Sequence, residues 1–136
     1  MKFTVSFPGA VDATFGGHTV RTDQPPPAGA DTGPSPFDLF LSSIATCMGF
    51  YALRFCQERG LSIEGLALTL EPERSADRKR VETIRISLGL PFGFPEKYEQ
   101  AIHRAVGHCA VKQALLEPPA FDLVIEREGV AALATT

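Results

Sequence analysis

Hydrophobic and polar residues alternate along the first part of the chain, which is the pattern of short antiparallel strands. Phe3-Thr4-Val5-Ser6-Phe7 alternates strictly, Gly16-Gly17 supplies a turn, and β-branched residues follow over 18–22. Proline and glycine crowd the next segment, residues 23–36, and exclude regular structure there. A long loop of this composition inside a compact domain is usually functional or mobile. The pattern therefore predicts a three-stranded meander over 2–22, followed by an irregular loop.

The segment after the loop carries the signals of a long helix. Ser35 can cap the helix, Pro36 suits its first position, and Asp38 stands three residues after Ser35, as in a capping box. Gly60 is a suitable C-terminal stop. The body between them is apolar on nearly every face, which predicts burial all round. In so small a domain, we expect one flank of this helix to be covered by a second subunit.

The remaining elements alternate between sheet and helix patterns. Strand, strand, helix, helix and strand follow in that order over 61–70, 80–90, 94–107, 109–116 and 121–126. A polar turn over 71–79 joins the first two strands as a hairpin, and we expect the tail after Gly129 to be frayed. This order indicates an α+β fold with antiparallel sheets and a long helix. The 136 residues predict a single domain over 1–136.

Charge and hydropathy exclude several classes of partner. The net charge is -3 and no Lys/Arg cluster is present, so we expect no nucleic-acid partner. Met1-Lys2 runs directly into a strand, without the apolar region of a secretory signal. The apolar stretch over 39–53 has 15 residues. A bilayer-spanning helix needs about 20. We therefore expect a cytoplasmic protein without a membrane partner, whose thiols stay reduced unless they are catalytic.

Three cysteines are the candidate chemistry: Cys47 and Cys56 on the long helix, and Cys109 at the start of the short one. A cysteine in such a helix can be a small core hydrophobe, or a reactive thiolate beside a positive charge or donor. Cys47 and Cys56 face opposite sides of the helix and lie about 13 Å apart along it, too far for a disulfide. Two separated thiols, Cys47 and Cys109, favour redox chemistry, and we expect Cys56 to be inert core.

Metal and nucleotide sites are not indicated. The histidines are His18, His103 and His108, and they form no CxxC, HxxxH or HExxH spacing. The sequence has no glycine-rich phosphate loop and no GxSxG elbow. We therefore expect neither a metal nor a cofactor.

Two motifs resemble the OsmC/Ohr family, the organic hydroperoxide resistance superfamily. Gly33-Pro34-Ser35-Pro36-Phe37-Asp38-Leu39-Phe40 and the apolar run to Cys47 resemble its central-helix signature, G-P-x-P-x-[ED]-L-L followed by a cysteine. His108-Cys109-Ala110-Val111, continuing to Leu115, resembles its second-cysteine motif, H-C-x-V-x-x-x-L. The order of elements fits as well, so the resemblance covers nearly the whole chain.

This resemblance implies an intertwined homodimer with an OsmC-like fold and a thiol-dependent peroxidase activity at the subunit interface. Cys47 is then the peroxidatic cysteine, which attacks an organic hydroperoxide and becomes a sulfenic acid. Cys109 resolves it as a disulfide, and an external dithiol regenerates the pair. The resemblance implies no metal, haem or flavin.

The chain departs from the family pattern at two positions. Family enzymes pair the first cysteine with an arginine and with a glutamate ten residues before it, where this chain has Phe37. Asp38 is the nearest acid and serves either the site or only the helix cap. Arg21 is the candidate arginine, although it does not align cleanly with the family's. These departures keep a second interpretation open: an OsmC-fold binding protein for a small hydrophobic or thiol-reactive ligand, with little turnover.

Overall fold

The computed structural model describes residues 1–127 and 130–135, which form seven strands, three α-helices and one 3-10 helix. The strands are β1 Thr4–Ser6, β2 Val11–Phe15, β3 His18–Thr22, β4 Ala67–Arg74, β5 Val81–Gly89, β6 Leu123–Arg127 and β7 Val130–Thr135. The helices are α1 Pro36–Glu58, the 3-10 helix Glu96–Tyr98, α2 Glu99–Val106 and α3 Ala110–Leu116. The α+β class with antiparallel sheets and one long helix is confirmed.

The N-terminal sheet is the predicted meander, in the order β1-β2-β3. Its register places Val5 opposite Ala13 and Ala13 opposite Val20, so these three side chains share one face. Asp12 lies opposite Arg21, on the other face. One face is therefore apolar and the other polar. The described residues do not cover the apolar face at its β1 edge, where Val5 is 54% exposed and Phe7, just after the strand, is 79% exposed.

The loop between β3 and α1 is irregular, as predicted, and is organised around one carboxylate. Asp23 accepts hydrogen bonds from the backbone N–H groups of Gln24 at 2.8 Å and Thr32 at 3.0 Å, and from Thr32 Oγ1 at 2.7 Å. A side chain at position 29 would collide with Gln24 and Asp23. The two parts of the loop can approach each other this closely because Gly29 has no side chain. The Asp23 N–H donates to the Pro34 carbonyl at 3.1 Å and ties the two ends together.

Helix α1 begins and ends where the sequence predicts. Ser35 is the N-cap, and its Oγ accepts from the Asp38 N–H at 3.1 Å. Pro36 occupies the first turn, where its missing N–H costs nothing. Gly60 has φ +63°, the left-handed conformation that closes a helix.

Within the single chain only one side of α1 is buried, and the predicted cover of its other flank by a second subunit stays a prediction. The buried side chains of α1 are Ile44, Met48, Ala52, Phe55 and Cys56, which form one stripe at helical spacing. Phe50 lies outside that stripe and is 55% exposed. The stripe packs against α2, α3 and β4. The other flank of an apolar helix is left without cover from the described residues.

At 23 residues, α1 is long and apolar enough to cross a membrane by length and composition alone. The length argument made from residues 39–53 therefore does not apply to the helix as a whole. Its packing is a better guide: α1 carries most of the buried hydrophobic cluster, which also includes Ile102 and Val106 of α2. A helix that supplies the core of a mixed fold in this way is weak evidence for a membrane span.

The β4–β5 hairpin is displaced from its predicted bounds. Gly65 has φ +86° and lies in a turn, so β4 starts at Ala67 instead of residue 61. The strand then continues into the first part of the predicted turn, as far as Arg74, with Pro72 opposite Ile84. Proline is tolerated there because a two-stranded sheet has only edge strands. The tail was also predicted wrongly: β7 pairs with β6, which satisfies backbone groups that a frayed tail would leave to water.

Candidate active site

Cys47 lies in the middle of α1 and is half-buried, while Cys109 is fully buried at the N-cap of α3. The fold brings these two thiols into hydrogen-bonding contact. The backbone N–H groups of Val111 and Ala110, in the first turn of α3, also lie close enough to the Cys47 sulfur to lower its pKa. Three donor groups therefore act on one sulfur atom.

This arrangement favours the thiolate of Cys47. Burial alone would raise its pKa, but the Val111 N–H, the Cys109 thiol and the Ala110 N–H together outweigh burial and lower it. Burial is the main cause that raises the pKa of Cys109. The neighbouring Cys47 sulfur raises it further, because it favours the protonated form of the Cys109 thiol. The two pKa values are pushed apart, so Cys47 is the more acidic of the two thiols.

The position of Cys109 at the start of α3 does not lower its pKa, because burial outweighs the backbone donors. Cys109 is the N-cap, with φ -51° and ψ 119°, and its sulfur accepts from the Lys112 N–H at 3.4 Å. The Val111 N–H lowers the pKa of both cysteines, and the Ala110 N–H lowers the pKa of Cys47. The sequence located a helix N-terminus correctly, but which sulfur that N-terminus serves is decided by how α3 packs on α1.

Cys56 is fully buried on the other side of α1, as predicted. Burial raises its pKa, and the nearby Arg59 charge opposes this only in part. That Cys56 takes no part in redox chemistry stays a prediction.

Arg21 lies on the polar face of the N-terminal sheet, where its guanidinium is paired with the carboxylate of Asp12. Its Nε and Nη2 donate to the two carboxylate oxygens of Asp12, each at 2.9 Å. This bidentate pair lowers the pKa of Asp12 through its hydrogen bond with Arg21. In the described part of the chain, Arg21 is not among the groups that shift the pKa of Cys47. The single chain therefore does not bring this candidate to the thiols.

Asp38 is also held away from the thiol pair. It is exposed in the first turn of α1, nine positions before Cys47. Nine positions correspond to about 13 Å along the helix axis. Its N–H contributes to the cap and its side chain lines a groove at the tip of the β4–β5 hairpin. Of the four predicted site residues, the chain unites Cys47 with Cys109 and leaves Arg21 and Asp38 elsewhere.

Sequence reasoning missed a mainly apolar cavity of about 400 Å³ between β5, α1 and α2, whose lining reaches Met48 and Lys112 but includes neither Cys47 nor Cys109. Its walls include Met48, which follows Cys47, and Lys112, whose N–H bonds Cys109. Leu88 and Ile102 provide apolar surface on the far side. Among residues 1–127 and 130–135, no cluster of three or more His, Cys, Asp and Glu could hold a metal.

Known proteins resemble this chain in sequence pattern and in fold. The family described as OsmC-like protein matches residues 29–124. An osmotic stress induced and detoxification response protein from Psychrobacter arcticus 273-4 superposes with a TM-score of 0.69, at 21% identity, over 84% of this chain and 87% of that one. An OsmC like protein from Mycoplasma pneumoniae gives 0.59 at 17% identity, over 87% and 89%. No curated protein matches. The matched family model covers most of the chain and includes both cysteines, and the chain therefore belongs to the OsmC-like protein family.

Proposed function

We propose that this protein is a thiol-dependent peroxidase that reduces organic hydroperoxides, with a role in detoxification. The observation that carries the proposal is the pairing of a partly exposed Cys47, whose pKa is lowered by neighbouring donors, with a buried Cys109, whose pKa is raised. A thiolate is the nucleophile in attack on a peroxide, and a second thiol in contact is what a reversible cycle needs. The description of the Psychrobacter protein as a detoxification response protein is consistent with this role.

In the first step the Cys47 thiolate attacks one oxygen of the O–O bond. The bond breaks, and the other oxygen leaves with its organic group as an alkoxide, which takes a proton to become an alcohol. Cys47 is oxidised to a sulfenic acid and the hydroperoxide is reduced by two electrons. The apolar cavity that reaches Met48 suits a hydroperoxide with an apolar group.

In the second step the Cys109 sulfur attacks the Cys47 sulfur. The S–O bond breaks, the hydroxide takes the Cys109 proton and leaves as water, and a disulfide forms. The raised pKa of Cys109 keeps it protonated until Cys47 is oxidised. An external dithiol then reduces the disulfide by two electrons and returns both thiols.

The working unit in this proposal is a homodimer in the cytoplasm. The uncovered flank of α1, including Phe50, and the apolar face of the N-terminal sheet, including Phe7, are the surfaces that a second copy would bury. A partner subunit would also be a source of an arginine for Cys47, since Arg21 of the same chain is paired with Asp12.

Peptide mapping after oxidation tests the proposal. One equivalent of cumene hydroperoxide, added to the reduced protein without reductant, should give a Cys47–Cys109 disulfide and leave Cys56 free. A steady-state assay with a dithiol should then show turnover. Cys47 recovered as sulfinic acid beside a free Cys109 thiol would reject the two-cysteine cycle.

A second candidate function is favoured by the position of Arg21. Without a cation at Cys47, attack on peroxide is slower, and the same thiolate, one residue from the lining of the apolar cavity, could hold a small hydrophobic or thiol-reactive ligand with little turnover. A stable covalent adduct on Cys47 together with no turnover of cumene hydroperoxide would favour this binding protein over the peroxidase.

A further inference from the structure

A groove of about 840 Å³ lies between the start of α1 and the tip of the β4–β5 hairpin. Its walls combine an apolar floor with a charged rim. The floor includes Phe37, Phe40, Ile84 and Leu115, and Phe37 and Leu115 are each more than 40% exposed. The volume falls within the range of small-molecule sites, about 300–1,000 Å³.

Cations outnumber acids on the rim. Arg74, Lys79 and Arg80 face two acids, Asp38 and Glu82. Arg80 is bound to Glu82 at 2.8 Å. Within the described residues, no ion pair engages Arg74 or Lys79. The positive end of the α1 dipole offsets part of the Asp38 charge.

Arg74 joins the two halves of the groove. Its guanidinium carbon lies 5.5 Å from the centre of the Phe37 ring, within cation–π range. A planar guanidinium held over an apolar floor can bind a carboxylate while the attached hydrocarbon lies on the rings below.

We infer that this groove is a second binding site, for a monocarboxylate with an apolar body such as a medium-chain fatty acid. The charge of the rim selects the anion and the phenylalanine floor selects the hydrocarbon. The site is separate from the thiol pair, because Asp38 at its edge lies about 13 Å from Cys47 along α1. It therefore goes beyond the proposed peroxidase function and does not depend on it.

Calorimetric titration with decanoate tests the site, using 1-decanol as the uncharged control ligand. The full chain carrying Cys47→Ser serves as the host, so that loss of peroxidase chemistry cannot affect the result. We expect decanoate to bind more tightly than 1-decanol, and its affinity to fall as salt is raised.

Arg74→Gln should weaken decanoate binding by about fivefold, the upper range for a solvent-accessible ion pair. Arg85→Gln is the matched control, since Arg85 lies on the same hairpin but is bound to Glu73 at 2.8 Å, outside the groove. Decanoate affinity should not change in that variant.

Three results would overturn the inference. The first is equal affinity for decanoate and 1-decanol, and the second is unchanged decanoate affinity in Arg74→Gln. The third is no binding at millimolar decanoate, which would mean that the groove is closed, for instance by a second copy of the chain. Loss of binding in Lys112→Gln with none in Arg74→Gln would place the ligand in the cavity between β5, α1 and α2 instead, and would also reject the site.

Discussion

Replacing Ala110 with proline should remove one hydrogen bond from the Cys47 thiolate with little change elsewhere. Ala110 is the first residue of α3, a position where proline is favoured and where the N–H has no partner within the helix. The preceding residue, Cys109, has ψ 119°, close to the conformation that a following proline requires. Ala110 itself is exposed, so the ring has room.

The size of the effect follows from the donors that surround Cys47. A hydrogen bond to a charged group contributes about 1.5–3 kcal/mol. Ala110 ranks behind Val111 and Cys109 among the groups that lower the Cys47 pKa, and the sulfur is partly accessible to water. We therefore take about 1 kcal/mol, which corresponds to about a fivefold smaller thiolate fraction below the pKa.

The assay is the rate of Cys47 alkylation by iodoacetamide between pH 5 and pH 9, followed by mass mapping. Because a lowered pKa makes the thiolate available at lower pH, the rate should rise with pH and then level off. In Ala110→Pro the rise should move to higher pH, and on the rising part of the profile, below the pKa, the rate should fall by about fivefold.

Ala110→Ser is the control, because it keeps the N–H and should keep the wild-type profile. Circular dichroism should show that α3 and the rest of the fold are intact in both variants. A folded Ala110→Pro protein with an unchanged profile would show that the start of α3 does not lower the Cys47 pKa.

Three further outcomes are expected. Cys109→Ser should trap the Cys47 sulfenic acid, detectable with dimedone and mass spectrometry, and should fold normally because serine is a favoured N-cap. Asp23→Asn should make the free energy of unfolding depend less on pH in the acid range. The pKa of Asp23 is about 2 in the folded protein against 3.8 for the free group, because Asp23 accepts hydrogen bonds from Thr32 and from the backbone of Gln24 and Ala30. That contribution is fully present above the unfolded pKa and is lost as pH falls through about 2, so melting temperatures from pH 7 to pH 2 should converge for the two proteins. Analytical ultracentrifugation at micromolar concentration should give a dimer.

Each of these outcomes has a clear contrary result. A Cys109→Ser protein that still forms a disulfide with hydroperoxide would show that Cys109 is not the resolving thiol. Parallel melting curves for wild type and Asp23→Asn across the acid range would mean that Asp23 does not titrate differently on unfolding. A stable folded monomer in the ultracentrifuge would refute the covering of α1 by a second copy.

Local signals were enough to predict the helices and the first sheet. Ser35 and Gly60 mark the ends of α1 because capping depends on a few neighbouring residues. The bounds of β4 could not be predicted, because the alternation from residue 61 does not show that Gly65 adopts a positive φ. The strand β7 was not predicted, because it depends on pairing with β6.

The chemistry of the site was predictable only in part. The contact between Cys47 and Cys109 was expected from the family resemblance, since nothing in their spacing fixes it. The donor role of the Ala110 and Val111 N–H groups is a tertiary property, because it depends on the direction from which α3 meets α1. The Arg21–Asp12 pair could have been anticipated from the meander, where the two residues stand opposite each other.

The bond between the Asp23 N–H and the Pro34 carbonyl has a consequence for assembly. It joins the end of β3 to the start of α1 across the base of the loop, at the place where a chain exchanged between subunits would need a hinge. With the two ends of the loop joined, the N-terminal sheet has little freedom to swing away from α1. The subunits of an intertwined dimer would then have to unfold in order to separate, so they would exchange only as slowly as the protein unfolds. Mixing tagged and untagged dimers would show this as heterodimers that appear on the unfolding timescale.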